Sequence, residues 1–216
     1  MSQRSKPPFR ADHVGSLLRP PALKKAREQR AKGEITPAQL KEIEDREIER
    51  VITKQEEVGL QSITDGEFRR SWWHLDFLWG LDGVEKHVMD TGVSFAAVTT
   101  RNEGVKVTGK VGFSDHPMIE HFKFVAAHTK RTPKITIPAP SAAYGRPTRT
   151  PIHEKAYPKL DRFFDDLGQA YKKAVHAFAD AGCRYLQLDE VFIAMLCDPK
   201  YRQTMKGRGD DPERLG

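Results

Sequence analysis

Apolar side chains recur every three to four positions in two long stretches, which predicts two amphipathic helices, and a shorter basic stretch ahead of them is predicted to be helical as well. Thr36 is a typical N-cap and Pro37 a typical first helical residue. Each helix is followed by glycine, which commonly ends helices. The predicted helices cover residues 22–32, 37–58 and 157–181, before Gly33, Gly59 and Gly182.

Four short runs rich in apolar and β-branched residues predict strands. They begin at Phe9, Leu60, Lys134 and Arg184. Strands that alternate with helices indicate an α/β fold, and polar residues gathered at strand ends favour a (β/α)8 barrel of the TIM type. A typical barrel needs about 250 residues. We therefore expect a chain of 216 residues to form about four βα units, which is a partial barrel.

Residues 83–115 show a different pattern, in which valines and phenylalanines occur in alternating or turn-separated short runs. A period of two is typical of strands with one exposed face. We expect a small antiparallel β insertion here instead of another βα unit. The predicted domain is one half barrel over residues 1–216 that contains this insertion.

Carboxylates follow two of the predicted strands at the point where each strand ends. Asp65, Gly66 and Glu67 follow one strand, and Asp189 follows the last one. Gly66 permits a backbone conformation that directs Glu67 toward the crevice at the carboxyl end of the sheet, where α/β enzymes keep their active sites. We expect Glu67 and Asp189 to face one cavity; the alternative for residues 65–67 is a solvated turn with surface charges.

Two expectations concern the state of the Glu67 side chain. Arg69 and Arg70 follow directly, and a nearby cation favours the ionised form of a carboxylate. At a strand end, Glu67 is expected to be exposed and to contribute little to core packing.

Gly15 and Ser16 interrupt the first predicted strand, and their amides and hydroxyl are free to bind a small polar or anionic group. His13 lies just before them and has two possible roles. It could act as a ligand or a base, but a histidine at such a position is more commonly a hydrogen-bonded structural residue. A group of aromatic residues follows the carboxylates, and these residues either line a substrate pocket or belong to the core. Its members are Trp72, Trp73, Phe77 and Trp79.

Composition excludes several classes of protein. No apolar run reaches the eighteen or so residues that span a bilayer, and the first ten residues lack an apolar signal core, so we expect a cytoplasmic protein without a membrane partner. The formal net charge is +6, yet Lys and Arg are interleaved with acids, so no nucleic-acid partner is predicted. Cys183 and Cys197 are too far apart for a CxxC clip, so neither a disulfide framework nor a complete cysteine-based zinc site is predicted.

Three segments carry a family resemblance: HVGSLLRP at residues 13–20, DGE at residues 65–67 and QLDE at residues 187–190. Together, and in this order, they resemble the cobalamin-independent methionine synthase family in its short form with a single barrel. The resemblance implies a methyltransferase of methionine biosynthesis. Such an enzyme moves a methyl group from a methylated folate, or another donor, to homocysteine and gives methionine.

The resemblance also implies roles for individual residues. Gly15 and Ser16 would hold the carboxylate of homocysteine, while Glu67 and Asp189 would accept hydrogen bonds from its ammonium group. No residue of this chain is expected to be catalytic. Where full-length synthases place a tryptophan that stacks on the folate, this chain has Tyr144, which leaves the methyl donor open.

Zinc is the cofactor that the resemblance implies, because it presents the substrate thiol as a thiolate. The family's His, Cys and Glu ligands lie on strands beyond the point where this chain stops, and Cys183 and Cys197 do not match them. We therefore expect no metal ligand in this chain and no activity from it alone. Half a barrel leaves a strand edge unpaired and apolar faces in water, so we expect further chain or a homodimer that covers the open face.

Two alternatives remain at this stage. The first is a thiol alkyltransferase of the same superfamily, for example of the coenzyme M type, with different polar contacts to its substrate. The second is a noncatalytic domain that binds anions or RNA through its basic surface, although such a domain has no use for carboxylates at strand ends.

Overall fold

The structure is a computed structural model that describes residues 4, 6–88, 94–95, 98–99, 102–145, 152, 155–207 and 209–214. Within these ranges the helices are α1 (Pro21–Ala31), α2 (Pro37–Glu57), α3 (Leu75–Leu78), α4 (Pro117–His128), α5 (Ser141–Gly145), α6 (Leu160–Asp180), α7 (Phe192–Met195) and α8 (Pro199–Gly207). A 3-10 turn follows at Pro212–Arg214.

The strands in the same ranges are short. They are β1 (Ser62–Ile63), β2 (Asp82–Val88), β3 (Ser94–Phe95), β4 (Val98–Thr99), β5 (Glu103–Gly112), β6 (Thr132–Pro133), β7 (Ile135–Pro138) and β8 (Leu186–Asp189).

The helix α2 begins as its sequence predicts. The Thr36 side chain accepts a hydrogen bond from the Gln39 backbone N–H at 3.2 Å, and the Gln39 side chain accepts one from the Thr36 N–H at 2.8 Å. This reciprocal capping box satisfies two backbone donors that a helix otherwise leaves free. At the other end, Gly59 has a φ of 91°, which terminates the helix before β1.

The chain divides into two compact units. Unit 1 consists of Met1–Trp73, Pro117–Thr136 and His176–Gln187. Unit 2 consists of His74–His116, Ile137–Val175 and Leu188–Gly216. The division passes through β7, α6 and β8, so each unit holds part of these three elements.

Unit 1 contains neighbouring parallel strands. β1 pairs in parallel with β6, and the Lys134 N–H then donates to the carbonyl oxygen of Ile63 at 2.8 Å. The same extended segment continues into β7, where the Ile135 N–H donates to the carbonyl oxygen of Tyr185 at 3.2 Å. Because parallel strands need long crossovers, this arrangement is typical of an α/β fold.

The core of unit 1 joins three helices to β1. Its buried side chains come from α1, α2, α4, β1 and the turn after β1. They are Leu23, Ile48, Ile52, Ile63, Phe68 and Val125, none of which is more than 2% exposed. The helical period of the sequence thus places its apolar stripe on this core, as an amphipathic helix requires.

Residues 9–19, predicted to begin as a strand, form no strand. Their carbonyl groups accept hydrogen bonds from side chains instead of a backbone ladder: the Thr64 hydroxyl donates to the Gly15 carbonyl at 2.9 Å, and the Thr136 hydroxyl donates to that of Val14. The prediction of a strand was wrong because side-chain hydroxyls replace the neighbouring strand's amides here.

Unit 2 contains the antiparallel strands. β2 pairs antiparallel with β5, and β3 pairs antiparallel with β4. The register shifts at Gly83, which has a φ of 73°, and a side chain there would lie 2.3 Å from the carbonyl oxygen of Lys110. Only glycine fits this irregularity. Residues 89–93, 96–97 and 100–101 of the predicted insertion lie outside the described residues.

β7 and β8 differ in burial. All four residues of β7 are buried, whereas Leu188 in β8 is 46% exposed. In the part of the chain that the structure describes, β8 pairs with β7 and with no other strand. β8 is therefore an edge strand of the described sheet. The α/β class is clear from these pairings, while closure into a partial barrel remains a prediction.

The buried core of unit 1 gives a direct test of its packing. We expect Ile48→Ala to lower the free energy of unfolding by about 2–4 kcal/mol, because Ile48 is 0% exposed and its truncation leaves a cavity among α1, α2 and β1. Urea unfolding measures the change. The control is Val58→Ala at the end of the same helix, where the side chain is 64% exposed and we expect a change within about 0.5 kcal/mol. Equal losses would contradict this description of the core.

Candidate functional site

The turn after β1 holds Glu67 in an uncommon backbone conformation. Gly66 and Glu67 have φ values of 64° and 58°. Among the residues that the structure describes, Glu67 is the one non-glycine residue with a positive φ. The Asp65 carboxylate accepts a hydrogen bond from the Glu67 N–H at 2.8 Å, which fixes this turn. A strained backbone at a residue with a functional side chain is a common sign of a site. We call residues 65–67 the carboxylate turn.

The Glu67 side chain is buried, with 2% exposure. Its Oε1 accepts a hydrogen bond from Arg70 Nη1 at 3.2 Å, and Arg70 itself is 2% exposed. The nearby Ser16 side chain lowers the pKa of this carboxyl. Its second oxygen, Oε2, has no hydrogen-bond partner among the described residues. The expectation of an exposed Glu67 with little packing was therefore wrong, since the turn folds the side chain inward.

Burial raises the pKa of Glu67 above its ordinary value, although the cation of Arg70 opposes the shift; the nearby Asp65 charge raises it further. Proximity of two arginines in sequence suggested a carboxylate held ionised, but Arg69 faces elsewhere. It pairs with Glu44 at 3.4 Å and with Asp45. The cations of Arg70 and, to a smaller extent, Arg19 lower the pKa of Glu67, and desolvation outweighs them.

Gly15 and Ser16 lie beside this carboxylate. Gly15 has a φ of 147°, and a side chain added there would lie 3.7 Å from Glu67 Oε1. The Leu17 N–H donates to the carbonyl oxygen of Gly66 at 3.0 Å, which joins the two segments through the backbone. Arg19 adds a second link, because its Nη2 donates to the Glu67 carbonyl oxygen at 3.0 Å. Unit 1 thus brings three predicted site residues together, namely Gly15, Ser16 and Glu67.

His13 belongs to a buried polar network. Its Nε2 lies 3.1 Å from Gln55 Oε1, so the protonated nitrogen donates to the amide oxygen. Burial and the charge of Lys134 lower the pKa of His13. These contacts favour the structural interpretation of His13. Gln55 was missed in the sequence, although a glutamine on the apolar face of α2, three residues after Ile52, was a readable signal.

Asp189 lies in unit 2 at the end of β8 and is half-buried. Burial raises the pKa of its carboxyl, and the neighbouring charge of Glu190 raises it too. Glu190 has a structural role, since its carboxylate accepts hydrogen bonds from the Phe192 and Ile193 N–H groups at 2.6 and 2.7 Å and thereby caps α7. The single cavity expected for Glu67 and Asp189 remains a prediction, because these residues belong to different units.

Tyr144 also lies in unit 2, at the edge of a cleft of about 250 Å³. It is 6% exposed, and its hydroxyl donates to Asp210 at 2.6 Å. The cleft is lined mainly by apolar side chains, including Phe164, Phe192 and Leu196. Its apolar lining and few polar groups are typical of a small-ligand pocket.

Phe77 and Trp79, two of the aromatic residues after the carboxylate turn, lie in unit 2. Phe77 is fully buried in unit 2, where its ring packs on His116 at 4.8 Å and on Tyr171 at 5.4 Å between centroids. Trp79 donates from its indole nitrogen to the carbonyl oxygen of Gly104 at 2.9 Å. Phe77 therefore belongs to the core of unit 2, whereas Trp79 is partly exposed.

The residues that the structure describes do not fit a zinc site. No group of three or more His, Cys, Asp or Glu side chains among them is arranged to hold a metal ion. Cys183 is buried, and burial raises the pKa of its thiol, which disfavours a thiolate ligand. Cys197 is exposed in unit 2.

The geometry agrees with a comparison of the whole sequence. A family model described as "Cobalamin-independent synthase, Catalytic domain" matches residues 9–204. The chain belongs to this synthase family. Two relatives from Bacillus subtilis (strain 168), the uncharacterized proteins YxjH and YxjG, are each 47% identical to this chain, over 218 and 215 residues. The matches cover 99% of this chain and 56% of each relative. The chain thus spans about half the length of these relatives.

Two solved structures have the same fold. One, from Listeria monocytogenes, is provisionally named a vitamin-B12 independent methionine synthase; it is 43% identical, has a TM-score of 0.74, and the match covers 93% of this chain and 59% of that one. The other is a B12-independent methionine synthase from Shewanella sp. W3-18-1 in complex with selenomethionine. It is 18% identical with a TM-score of 0.59, and the match covers 80% of this chain and 51% of that one. This second likeness shows the fold alone.

None of the described helices of this chain is both long and apolar enough to cross a lipid bilayer.

Removal of the Arg70 cation tests the electrostatics of the carboxylate turn. We expect Arg70→Met to raise the pKa of Glu67 further, because burial then acts without its nearest opposing charge. Carboxyl NMR titration measures this shift. A folded pKa above the unfolded value means that stability is lost as pH rises from about 4.5 through the folded pKa. Unfolding should therefore become about 3 kcal/mol easier at pH 8, and less so at pH 5.

The matched control is Arg50→Met on α2, whose side chain is 67% exposed and pairs with the buried carboxylate of Glu47 at 2.8 Å. We expect it to leave the pKa of Glu67 unchanged. An unchanged Glu67 pKa in Arg70→Met would show that the two side chains do not interact in solution.

Proposed function

We propose that this chain supplies the amino-acid-binding part of a methyltransferase of the cobalamin-independent methionine synthase type, with homocysteine as the methyl acceptor and methionine as the product. The observation that carries the proposal is the buried Glu67 carboxylate, whose Oε2 has no partner among the described residues, next to Gly15 and Ser16. A buried acceptor without a donor destabilises the folded protein by about 1–3 kcal/mol, and a charged acceptor destabilises it more. A ligand ammonium group removes that cost.

The chemistry of an amino acid zwitterion suits this arrangement. Its ammonium group needs fixed carboxylate acceptors, and its carboxylate needs donors such as backbone amides and a hydroxyl. Glu67 provides the first and the segment at Gly15 and Ser16 provides the second. Asp189 is proposed as a further acceptor for the ammonium group. Burial raises the pKa of this carboxyl as well. The Shewanella protein of the same fold is a complex with selenomethionine, which is itself an amino acid zwitterion.

The methyl donor is proposed to be a methylated folate or another methyl compound that uses the cleft at Tyr144. The rings of Phe163 and Phe164 pack near Tyr144, with centroids 6.2 and 5.2 Å away. An apolar aromatic cleft favours a flat ring system. Activation of the homocysteine thiol is not assigned to any described residue, so the role proposed for this chain is to bind and orient the substrates.

Binding of homocysteine to the 216-residue chain tests the proposal. We expect wild-type chain to bind homocysteine in calorimetric titration, and Glu67→Gln to bind it roughly 10- to 100-fold more weakly, because a charge-assisted hydrogen bond is lost. The control is Glu57→Gln on the surface of α2, where the side chain is 59% exposed and no change is expected. Affinity should fall as pH falls through the raised pKa of Glu67 and should lose this dependence in Glu67→Gln.

A ligand panel separates the alternatives in the same titration. The thiol 2-mercaptoethanesulfonate lacks an ammonium group, so tighter binding of this thiol than of homocysteine would favour a coenzyme M type enzyme. Steeply salt-dependent binding of an RNA oligonucleotide, without homocysteine binding, would favour a noncatalytic basic domain.

The donor side has its own test. We expect Tyr144→Ala to weaken binding of a methylated folate by about tenfold, because the aromatic surface at the cleft is removed. Tyr144→Phe is the matched control, since it keeps the ring and loses the bond to Asp210. Fluorescence titration measures both. If Ala and Phe variants bind the folate as wild type does, the cleft at Tyr144 is not the donor site.

A further inference from the structure

Gln55 pairs with the backbone at the end of β1 as a neighbouring strand would. Its Nε2 donates to the Thr64 carbonyl oxygen at 2.8 Å, and its Oε1 accepts from the Thr64 N–H at 3.0 Å. Nε2 also donates to the Val51 carbonyl oxygen at 3.0 Å within α2. Because Thr64 offers both a donor and an acceptor, these bonds fix which end of the amide is oxygen. Gln55 is 3% exposed, so water does not compete with these bonds.

The same amide oxygen also contacts the other segment of the candidate site. Gln55 Oε1 lies 3.1 Å from His13 Nε2. His13 begins the segment at residues 13–16, which contains Gly15 and Ser16 and which we call the glycine-serine loop. One buried side chain of α2 is therefore bonded to both the residue that precedes the carboxylate turn and the residue that begins the glycine-serine loop.

Thr64 completes the connection. Its hydroxyl donates to the Gly15 carbonyl oxygen at 2.9 Å and accepts from the Gly66 N–H at 3.2 Å. The hydroxyl thus bridges the two segments, and the Gln55 amide holds the backbone that carries it. A displacement of Thr64 would shift the loop and the turn together.

We propose that Gln55 is a positioning residue that sets the distance between the glycine-serine loop and the carboxylate turn. This inference rests on the proposed function, since these two segments are its binding groups for the carboxylate and ammonium of an amino acid. Gln55 touches no ligand in this role. It acts through Thr64 and His13, and it keeps both halves of the site in place before the ligand arrives, which lowers the entropy cost of binding.

The first test replaces the amide by an apolar chain of similar length. We expect Gln55→Met to bind homocysteine at least about tenfold more weakly, because small displacements of binding groups have large effects. The control is Ile52→Val, one turn earlier on the same buried face of α2, where the side chain is 2% exposed. It disturbs the packing of the helix but none of these hydrogen bonds, so wild-type affinity is expected.

A second readout does not depend on the ligand. The Leu17 N–H is bonded to the Gly66 carbonyl oxygen, and the Glu67 N–H to Asp65, so neither amide is bonded to Gln55 itself. We expect both amides to exchange with solvent faster in Gln55→Met than in Ile52→Val at equal thermal stability. Unchanged exchange at both amides would overturn the positioning role. So would wild-type homocysteine affinity in Gln55→Met.

Substitution by an acid gives a signature that simple loss of packing would not produce. An ionised Gln55→Glu side chain cannot donate to the Thr64 carbonyl oxygen, whereas its protonated form can. The ratio of variant to wild-type affinity should therefore recover as pH falls. The titratable group that faces this position is His13, with Lys134 and Asp12 behind it, and the titration of His13 is measured in both proteins. A ratio that is independent of pH would contradict the role.

The two measurements, homocysteine binding and amide exchange, separate this inference from the proposed function. If wild-type chain binds no homocysteine, the proposed function fails. The exchange of the Leu17 and Glu67 amides still decides whether Gln55 fixes the two segments. If wild-type chain binds homocysteine and Gln55→Met binds it equally well, the proposed function stands and the positioning role fails.

Discussion

The arrangement of unit 1 depends on the contacts that the buried ammonium group of Lys134 makes with Asp12 and His13. The Lys134 side chain is 1% exposed and donates to both oxygens of Asp12 at 3.2 Å and to the carbonyl oxygen of His13 at 2.5 Å. Burial raises the pKa of Asp12, but hydrogen bonds from Ser62, Tyr185 and Lys134 outweigh it, so that this pKa lies below its usual range. An unpaired buried ammonium would be very costly, so the N-terminal segment must stay where its acceptors can reach Lys134.

This constraint explains why the glycine-serine loop can lie beside the carboxylate turn without a strand to hold it. Lys134 holds this segment at the Asp12 carboxylate and the His13 carbonyl oxygen, and two threonine hydroxyls hold it at the carbonyl oxygens of Val14 and Gly15. Each attachment is a side chain from a residue far away in sequence. Such bonds leave no period in the sequence, so the segment that starts at Phe9 was predicted to begin as a strand. The positions of Gly15, Ser16 and Glu67 near one another were nevertheless predictable from the family resemblance.

The sequence predicted elements well where local physics decides them. The capping residues and the apolar period gave α2, and the run of β-branched residues gave β7. Helix α4 was not predicted, although Met118, Phe122 and Val125 are its buried residues and recur at helical spacing. Burial of Glu67 was missed for a different reason. A positive φ at Glu67 depends on a turn whose direction is set by tertiary bonds, and propensity alone makes a glutamate exposed.

The same burial distinguishes the kinds of ligand that unit 1 can accept. Asp65 and Glu67 are 6% and 2% exposed, and in each of them one carboxylate oxygen has no partner among the described residues. A phosphate or an RNA backbone would add negative charge beside these oxygens and would be repelled. A primary ammonium group carries three donors and a positive charge, so it can satisfy acceptors that the described protein groups leave open. The net charge of the whole chain is +6, yet the open acceptor oxygens of the turn favour a cationic head group.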